Sequence, residues 1–180
     1  MPTCHVYVAV SLDGFIARPD GDIEWLHQWP DIGDDYGYGA FVQSVDGLII
    51  GRGTFEKVLS FGTWPYEKPV VVLSRTLDPE AIPPDRGDRV RIMDLTPEAV
   101  LDVLRREGWQ RAYVDGGELI QSFLVSDLIA DLTITRIPIL IGAGRPLFGH
   151  LPQDIMLTHL ETTSYPSGFV QSRYAIGRIL

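Results

Sequence analysis

The chain has 180 residues, of which 45% are hydrophobic, and it carries a formal net charge of −9. This length and apolar content predict one domain of ordinary size, residues 1–180, and the acidity argues against a nucleic-acid-binding protein. The single cysteine, Cys4, excludes an internal disulfide, and no Cys/His spacing indicates a zinc site. Because the sequence shows neither a secretory leader nor a long apolar segment, it predicts a cytoplasmic, metal-free protein that does not enter a membrane.

Strands and helices are predicted to alternate along most of the chain. Apolar and β-branched runs predict strands at 5–10, 48–50, 69–73, 90–93, 111–114 and 131–140. Helical patterns lie between them at 54–59, 96–107 and 118–124, and Thr96 is the predicted N-cap of the second of these helices. Since such alternation requires crossover connections, the sequence predicts an α/β fold with a mostly parallel central sheet and helices on both faces.

Two segments depart from this alternation. Residues 156–163 and 169–179, separated by a Pro-Ser-Gly turn, predict an antiparallel hairpin at the edge of the sheet. Residues 20–39 combine glycine, aspartate and proline with three aromatic residues, Trp25, Trp29 and Tyr36. This composition favours a loop with a short helix that covers another part of the protein.

Polar or glycine-rich segments follow four of the predicted strands. Ligands of parallel sheets bind in the crevice at the carboxyl ends of the strands, and these segments meet there if the strands are correctly predicted. The groove predicted at this edge is lined by Ser11, Asp13, Arg52, Thr54, Ser74, Arg75 and residues 116–119.

Two of the strand exits, residues 51–54 and 116–117, contain paired glycines. Glycine lets backbone N–H groups approach a ligand closely, and a helix N-terminus favours a phosphate, so the two exits predict a nucleotide site. Each motif alone can also serve only tight packing. Neither is the G-x-G-x-x-G fingerprint, because Glu56 stands at the third glycine, and no P-loop occurs. A third glycine-rich stretch, residues 142–149, is interpreted as a structural turn because no helical pattern follows it.

Arg52, Ser74 and Arg75 provide a second signal. A guanidinium group can bind a phosphate through two hydrogen bonds, and a serine hydroxyl can add another. On the ribose of a dinucleotide this set favours a 2′-phosphate, and therefore NADP over NAD. The alternative is that both arginines are solvated surface residues.

Five segments occur in the order found in a known group of proteins: residues 11–17, 46–56, 70–75, 113–124 and 132–148. Together they resemble the dihydrofolate reductase-like superfamily and, within it, the C-terminal reductase domain of bifunctional riboflavin-biosynthesis proteins, here in a stand-alone form. The resemblance implies the three-layer dihydrofolate reductase-like fold. It also implies a homodimer, for which the strand at 132–141 and the tail hairpin offer an interface.

The resemblance further implies that NADPH lies across the strand exits. By this likeness the cofactor-binding residues are Gly51, Arg52, Gly53 and Thr54 at the pyrophosphate and adenosine end, Leu73, Ser74 and Arg75 at the 2′-phosphate, Gly116, Gly117, Glu118 and Leu119 on the opposite side of the pyrophosphate, and Ala9 and Ile16 at the nicotinamide. In folate reductases the Gly-Gly peptide bond is cis, so a cis bond is expected between Gly116 and Gly117.

The implied reaction is reduction of a C=N bond, in which hydride goes to carbon and a proton goes to nitrogen or oxygen. The function implied is that of an NADPH-dependent reductase, most like 5-amino-6-(5-phosphoribosylamino)uracil reductase of riboflavin biosynthesis. A pterin or dihydrofolate reductase and a non-catalytic NADP-binding module are the alternatives. Residues 41–45 read Phe-Val-Gln-Ser-Val where riboflavin-type reductases carry His-x-Leu-Arg-Ala, so one expected contact with a substrate phosphate is missing.

A carboxylate near the nicotinamide is the expected acid, and Asp13 is the first candidate and Asp35 the second. Asp13 can instead be a turn residue before Gly14. Ser11 and Trp25 are assigned to the substrate side of the groove, although Trp25 is equally compatible with a place in the core.

Overall fold

The computed structural model describes residues 1–29 and 33–177. In chain order the strands are β1 (Thr3–Ser11), β2 (Phe15–Ala17), β3 (Gly47–Gly51), β4 (Val70–Leu73), β5 (Val90–Met93), β6 (Arg111–Asp115), β7 (Ile129–Ile137), β8 (Arg145–Pro146), β9 (Leu157–Ser164) and β10 (Val170–Ile176). The α-helices are α1 (Tyr38–Gln43), α2 (Arg52–Leu59), α3 (Pro97–Arg106) and α4 (Gly117–Val125). Short 3₁₀ helices cover Glu24–Gln28, Pro79–Ala81 and Pro84–Arg86.

Within the described residues, eight strands form one sheet in the order β5-β4-β3-β6-β1-β7-β10-β9. The first six strands in this order run parallel, and β10 pairs antiparallel with both β7 and β9. Strands β2 and β8 form a separate small antiparallel ribbon. The predicted α/β fold with a C-terminal hairpin is confirmed. The last two residues of the predicted hairpin, 178–179, lie outside the described residues.

Several element boundaries differ from the predicted ones by a few residues, and two of them have clear local reasons. Strand β7 ends at Ile137 because Pro138 follows it and has no backbone N–H for the ladder. Helix α2 begins at Arg52, earlier than predicted, because Gly51 ends β3 and is at the same time the helix N-cap. No loop therefore separates β3 from α2, and the first turn of the helix is fixed directly at the edge of the sheet.

Alternate residues of strand β3 face two different cores. Ile49 belongs to the hydrophobic cluster that includes residues of α3 and α4, whereas Leu48 and Ile50 belong to the cluster that includes Phe55 of α2. All four side chains are fully buried. Full burial of such a side chain stabilises the fold by about 1.5–3 kcal/mol. Strand β3 thus holds helices on both faces of the sheet, as the sequence predicts.

Helix α3 starts as predicted, because the Thr96 hydroxyl accepts a hydrogen bond from the Ala99 N–H at 3.3 Å. None of the helices in the described part of the chain is long and apolar enough to cross a lipid bilayer. The structure contains one chain, so the homodimer stays a prediction.

Candidate functional site

A groove of about 1490 Å³ opens at the carboxyl ends of β1, β3, β4 and β6. These strands are parallel to one another, so their exits come together at one edge of the sheet. The groove is lined by all thirteen residues that the resemblance assigns to a cofactor: Ala9, Ile16, Gly51, Arg52, Gly53, Thr54, Leu73, Ser74, Arg75, Gly116, Gly117, Glu118 and Leu119.

The two glycine exits touch each other at Gly116. This residue has φ +106°, and a Cβ atom built on it would lie 2.6 Å from Thr54 Oγ1 and 3.7 Å from the Gly51 nitrogen. A Cβ on Gly117 would lie 2.7 Å from Ile16 Cδ1. Side chains at these two positions would fill the space between the exits, so glycine keeps the backbone open to a ligand. The Gly116–Gly117 peptide bond is trans, so the expected cis bond is wrong.

Both helices that leave these exits start without a side-chain cap. Gly51 is the N-cap of α2 and Gly116 is the N-cap of α4, and neither can supply a capping side chain. The N–H groups of both first turns therefore lack the usual capping partner, and the positive ends of both helix dipoles point into the groove. An anionic group placed between them is stabilised from two sides.

Arg52 at the β3 exit and Arg75 at the β4 exit differ in how many of their hydrogen-bond donors are already used. Arg52 donates hydrogen bonds from Nε to Glu56 at 2.7 Å and from a terminal nitrogen to Thr76 at 3.0 Å. Ser74 Oγ accepts hydrogen bonds from the backbone N–H groups of Thr76 and Leu77 and keeps its own proton to donate. In the described residues, Arg75 has no hydrogen-bond or ion-pair partner for its exposed side chain. Of the two arginines, Arg75 therefore keeps more hydrogen-bond donors available for a ligand.

Ser11 and Asp13 do not line the groove. Ser11 is fully buried, and its hydroxyl donates a hydrogen bond to Asp13 Oδ1 at 2.6 Å and accepts one from the Phe15 N–H. The Asp13 carboxylate also accepts hydrogen bonds from the N–H groups of Ile141 and Gly142. The Ser11 hydroxyl and then these backbone N–H groups hold the pKa of Asp13 below its ordinary value. The carboxylate is thus ionised at neutral pH and joins two loops, which is not the state of a proton donor.

Asp35 and Trp25 also lie outside the groove lining. The exposed Asp35 carboxylate accepts hydrogen bonds from the N–H groups of Gly37 and Gly39, and these bonds hold its pKa below the ordinary value. Trp25 is fully buried and packs in a cluster with Ile137 and Phe169. The structure therefore gives Asp35 a local turn and Trp25 a place in the core.

Asp115 is the acidic residue that sequence reasoning missed. It is the last residue of β6, directly before Gly116, and it lines the groove. Burial raises the pKa of Asp115 from 3.8 to about 6, although a hydrogen bond from the Gly116 N–H partly opposes this shift. A carboxyl group with such a pKa exchanges a proton near neutral pH. Its place at the end of a central parallel strand was the available sequence signal.

The charge of Asp115 acts on three tyrosines. Burial raises the pKa values of Tyr38, Tyr66 and Tyr113, that of Tyr38 to about 12, and the Asp115 charge contributes to each shift. Tyr66 and Tyr113 line the groove, and Tyr113 donates a hydrogen bond to the Tyr7 carbonyl oxygen at 2.9 Å. This end of the groove therefore combines aromatic rings with one carboxyl group.

A single lysine lines the groove farther along α2. The half-buried Lys57 places Nζ 5.8 Å from the centre of the Phe61 ring and makes no ion pair within the described residues. It lies on the same helix as Arg52, five residues later, so about 7–8 Å separates the two positions along the helix axis. The groove thus has cations at both ends of α2.

Comparison with known proteins identifies the family. The RibD C-terminal domain matches residues 2–171. The chain belongs to the RibD C-terminal domain family. The protein YwjB of Bacillus subtilis (strain 168), which is uncharacterised, is 36% identical to this RibD C-terminal domain chain over 172 residues, covering 94% of this chain and 95% of YwjB.

Two solved structures place this RibD C-terminal domain among its relatives. A protein of Shewanella sp. PV-4, provisionally described as a riboflavin biosynthesis protein, superimposes with a TM-score of 0.92 at 39% identity and covers 98% of this chain and 99% of its own. A deaminase/5-amino-6-(5-phosphoribosylamino)uracil reductase of Thermotoga maritima superimposes with a TM-score of 0.75 at 15% identity, and this chain covers 57% of it. The second likeness shows the shared fold. The family match and the Shewanella structure together support a reductase-like function related to the riboflavin pathway.

Replacing Gly116 by alanine tests the contact between the exits. We expect Gly116→Ala to lower the free energy of unfolding by about 1–3 kcal/mol for the positive-φ backbone and by about 1–3 kcal/mol more for the contact with Thr54. Urea unfolding measures the total loss for each variant. Gly108→Ala is the matched control, because Gly108 has φ +89° and a Cβ there meets no atom within 4 Å. Adding Thr54→Ala should recover part of the Gly116→Ala loss, and equal losses in the two glycine variants without recovery would contradict the contact.

The raised pKa of Asp115 predicts a pH-dependent stability. Between about pH 4 and pH 6 the folded protein retains a proton that the unfolded chain releases, so the free energy of unfolding falls as pH rises through this window. The fall attributable to Asp115 is on the order of 3 kcal/mol. Urea unfolding at a series of pH values should show this component in the unsubstituted protein and in the control Asp88→Asn, which removes an exposed carboxyl group. The same pH profile in Asp115→Asn would show that Asp115 has no raised pKa.

Proposed function

We propose that this RibD C-terminal domain protein is an NADPH-dependent reductase that reduces a C=N bond of a heterocyclic substrate. The observation that carries the proposal is the contact between the Gly51–Gly53 exit and Gly116, which leaves two uncapped helix starts facing one groove. The Asp115 carboxyl group lies in the same groove. A phosphate-binding region and a proton-exchanging group therefore share one cavity.

The residues of the groove fit a nicotinamide dinucleotide. The space at Gly116 and Gly117, which a Cβ would fill, and the two uncapped helix starts suit a diphosphate. Arg75 has a free guanidinium at the β4 exit, and Ser74 keeps a hydroxyl proton, so these two residues would hold a 2′-phosphate. Ala9 and Ile16 present an apolar surface at the β1 exit, suited to a nicotinamide ring.

Asp115 is the proposed proton donor in place of Asp13 and Asp35. When bound, the cofactor supplies a hydride for the carbon of the C=N bond. The nitrogen then requires a proton, which Asp115 holds in its acid form below a pKa of about 6. Tyr66 and Tyr113 line the same groove, and the burial of Asp115 favours its protonated carboxyl group.

Two features of the groove each favour one of the candidate substrates. Lys57 offers an unpaired cation for an anionic group, and this favours a phosphorylated substrate such as 5-amino-6-(5-phosphoribosylamino)uracil, the compound in the name of the Thermotoga maritima relative. Asp115 among the tyrosines favours the second candidate, a pterin or dihydrofolate, because a carboxylate can accept hydrogen bonds from its amino-substituted ring.

Arg75→Gln tests the 2′-phosphate. We expect the unsubstituted protein to bind NADPH at least about tenfold more tightly than NADH, since a charge-assisted hydrogen bond contributes about 1.5–3 kcal/mol. Arg75→Gln should remove most of this preference and leave the NADH dissociation constant unchanged, as measured by calorimetry. Arg173→Gln, on the exposed face of β10, is the control and should keep the preference. A protein that binds NADPH and NADH equally would contradict the proposed cofactor.

Turnover tests the reaction and the proton donor together. We expect NADPH oxidation with the phosphoribosylaminopyrimidine substrate, with dihydrofolate as the competing candidate. Asp115→Asn should lower kcat by about 10²–10⁴-fold without changing NADPH affinity, because a positioned general acid contributes that much. In the unsubstituted enzyme the rate should fall as pH rises through about 6. Full turnover by Asp115→Asn, at a pH where chemistry limits the rate, would exclude it as the donor.

A further inference from the structure

Arg145 is a groove residue that neither the resemblance nor the strand exits explain. It lies in β8, within the glycine-rich stretch that the sequence presents as a structural turn. The turn is real, because β8 pairs with β2 through Ala17 and Arg145, and a Cβ on Gly144 would lie 2.3 Å from the Ala17 carbonyl oxygen. The ribbon thus packs closely at Gly144 and fixes the backbone from which the Arg145 side chain extends.

The guanidinium of Arg145 lies between two glycine backbones. One terminal nitrogen is 3.4 Å from the position that a Cβ on Gly53 would take, and the other is 3.3 Å from the corresponding position at Gly21. Nε donates a weak hydrogen bond to the Pro19 carbonyl oxygen at 3.4 Å. The side chain therefore spans from the loop after β2 to the first turn of α2.

Both terminal nitrogens of Arg145 retain their donors. In residues 1–29 and 33–177 no carboxylate lies within 4 Å of the guanidinium, and no hydrogen bond from its terminal nitrogens is found. The other cations of the groove have different positions: Arg52 is paired with Glu56, Arg75 lies at the β4 exit, and Lys57 lies farther along α2. Among the described residues, Arg145 is thus a cation with free terminal donors beside Gly53, in the first turn of α2.

We infer that Arg145 binds the diphosphate of the nucleotide from the β2–β8 side of the groove. This inference rests on the proposed nucleotide-binding function. Gly53 lacks a side chain, so the guanidinium can approach the start of α2 and donate two hydrogen bonds to phosphate oxygens there. A diphosphate is common to NADPH, NADH and ADP-ribose. Arg145 therefore sets the affinity for all three ligands, whereas Arg75 discriminates among them.

Arg145→Gln tests the inference through binding alone. Calorimetry with NADPH, NADH and ADP-ribose should show dissociation constants raised by about 10- to 100-fold for each ligand, with the NADPH-to-NADH ratio unchanged. The dissociation constants of Arg145→Lys should lie between those of the unsubstituted protein and those of Arg145→Gln, because an ammonium group keeps the charge but cannot donate two parallel hydrogen bonds as a guanidinium does. Arg89→Gln is the matched control, since Arg89 is exposed and precedes β5 at the opposite edge of the sheet. An unchanged thermal unfolding temperature of Arg145→Gln would show that the lower nucleotide affinity comes from the lost contact with the diphosphate and not from a change in folding.

The outcomes separate this inference from the proposed function. Failure of the unsubstituted protein to bind any of the three nucleotides would overturn the proposed function and the inference with it. Normal binding by the unsubstituted protein with unchanged affinities in Arg145→Gln would overturn the inference and leave the function standing. A loss confined to NADPH would place Arg145 at the 2′-phosphate and overturn its assignment to the diphosphate.

Discussion

The close contact between Gly116 and the β3 exit is the constraint on which the candidate site depends. Because β6 lies between β3 and β1 in the sheet, its exit must fit between the start of α2 and the β1–β2 segment. Gly116 meets Thr54 on one side, and Gly117 meets Ile16 on the other. The absence of a Cβ at both positions lets three chain segments converge on one space. The shape of that space is therefore set by the two glycine backbones together with the side chains of Thr54 and Ile16.

The sequence predicts the sheet and the edge at which the groove opens. Continuous apolar runs such as Val70–Leu73 identify buried parallel strands, and the alternation with helices fixes their common direction. The position of the groove then needs no knowledge of side-chain contacts, because the carboxyl ends of parallel strands always lie together. Helix capping is equally local, as Thr96 shows: its partner is three residues away.

Side-chain roles were harder to predict because they depend on residues distant in the chain. Ser11, the main partner that lowers the pKa of Asp13, is only two residues away, but the other partners, the N–H groups of Ile141 and Gly142, lie 128 and 129 positions away. The tyrosines around Asp115 come from α1, from the loop before β4 and from β6 itself. No periodicity in the sequence contains these contacts. A carboxylate in a turn and a carboxyl group at a strand end therefore look alike until the fold gives one N–H donors and the other burial.

Asp13 still acts on the groove, although it does not line it. Its carboxylate holds the Gly142 N–H at 2.8 Å, and the Leu147 N–H donates to the Gly14 carbonyl oxygen at 3.1 Å. Both ends of the segment that carries Arg145 are thus bound to the turn after β1. An ionised Asp13 is suited to this task, because a charged carboxylate makes stronger hydrogen bonds with backbone N–H groups than a protonated one. The fold therefore places two aspartates in opposite environments: hydrogen-bond donors lower the pKa of Asp13, which fixes the wall of the groove, and burial raises the pKa of Asp115, which lines it.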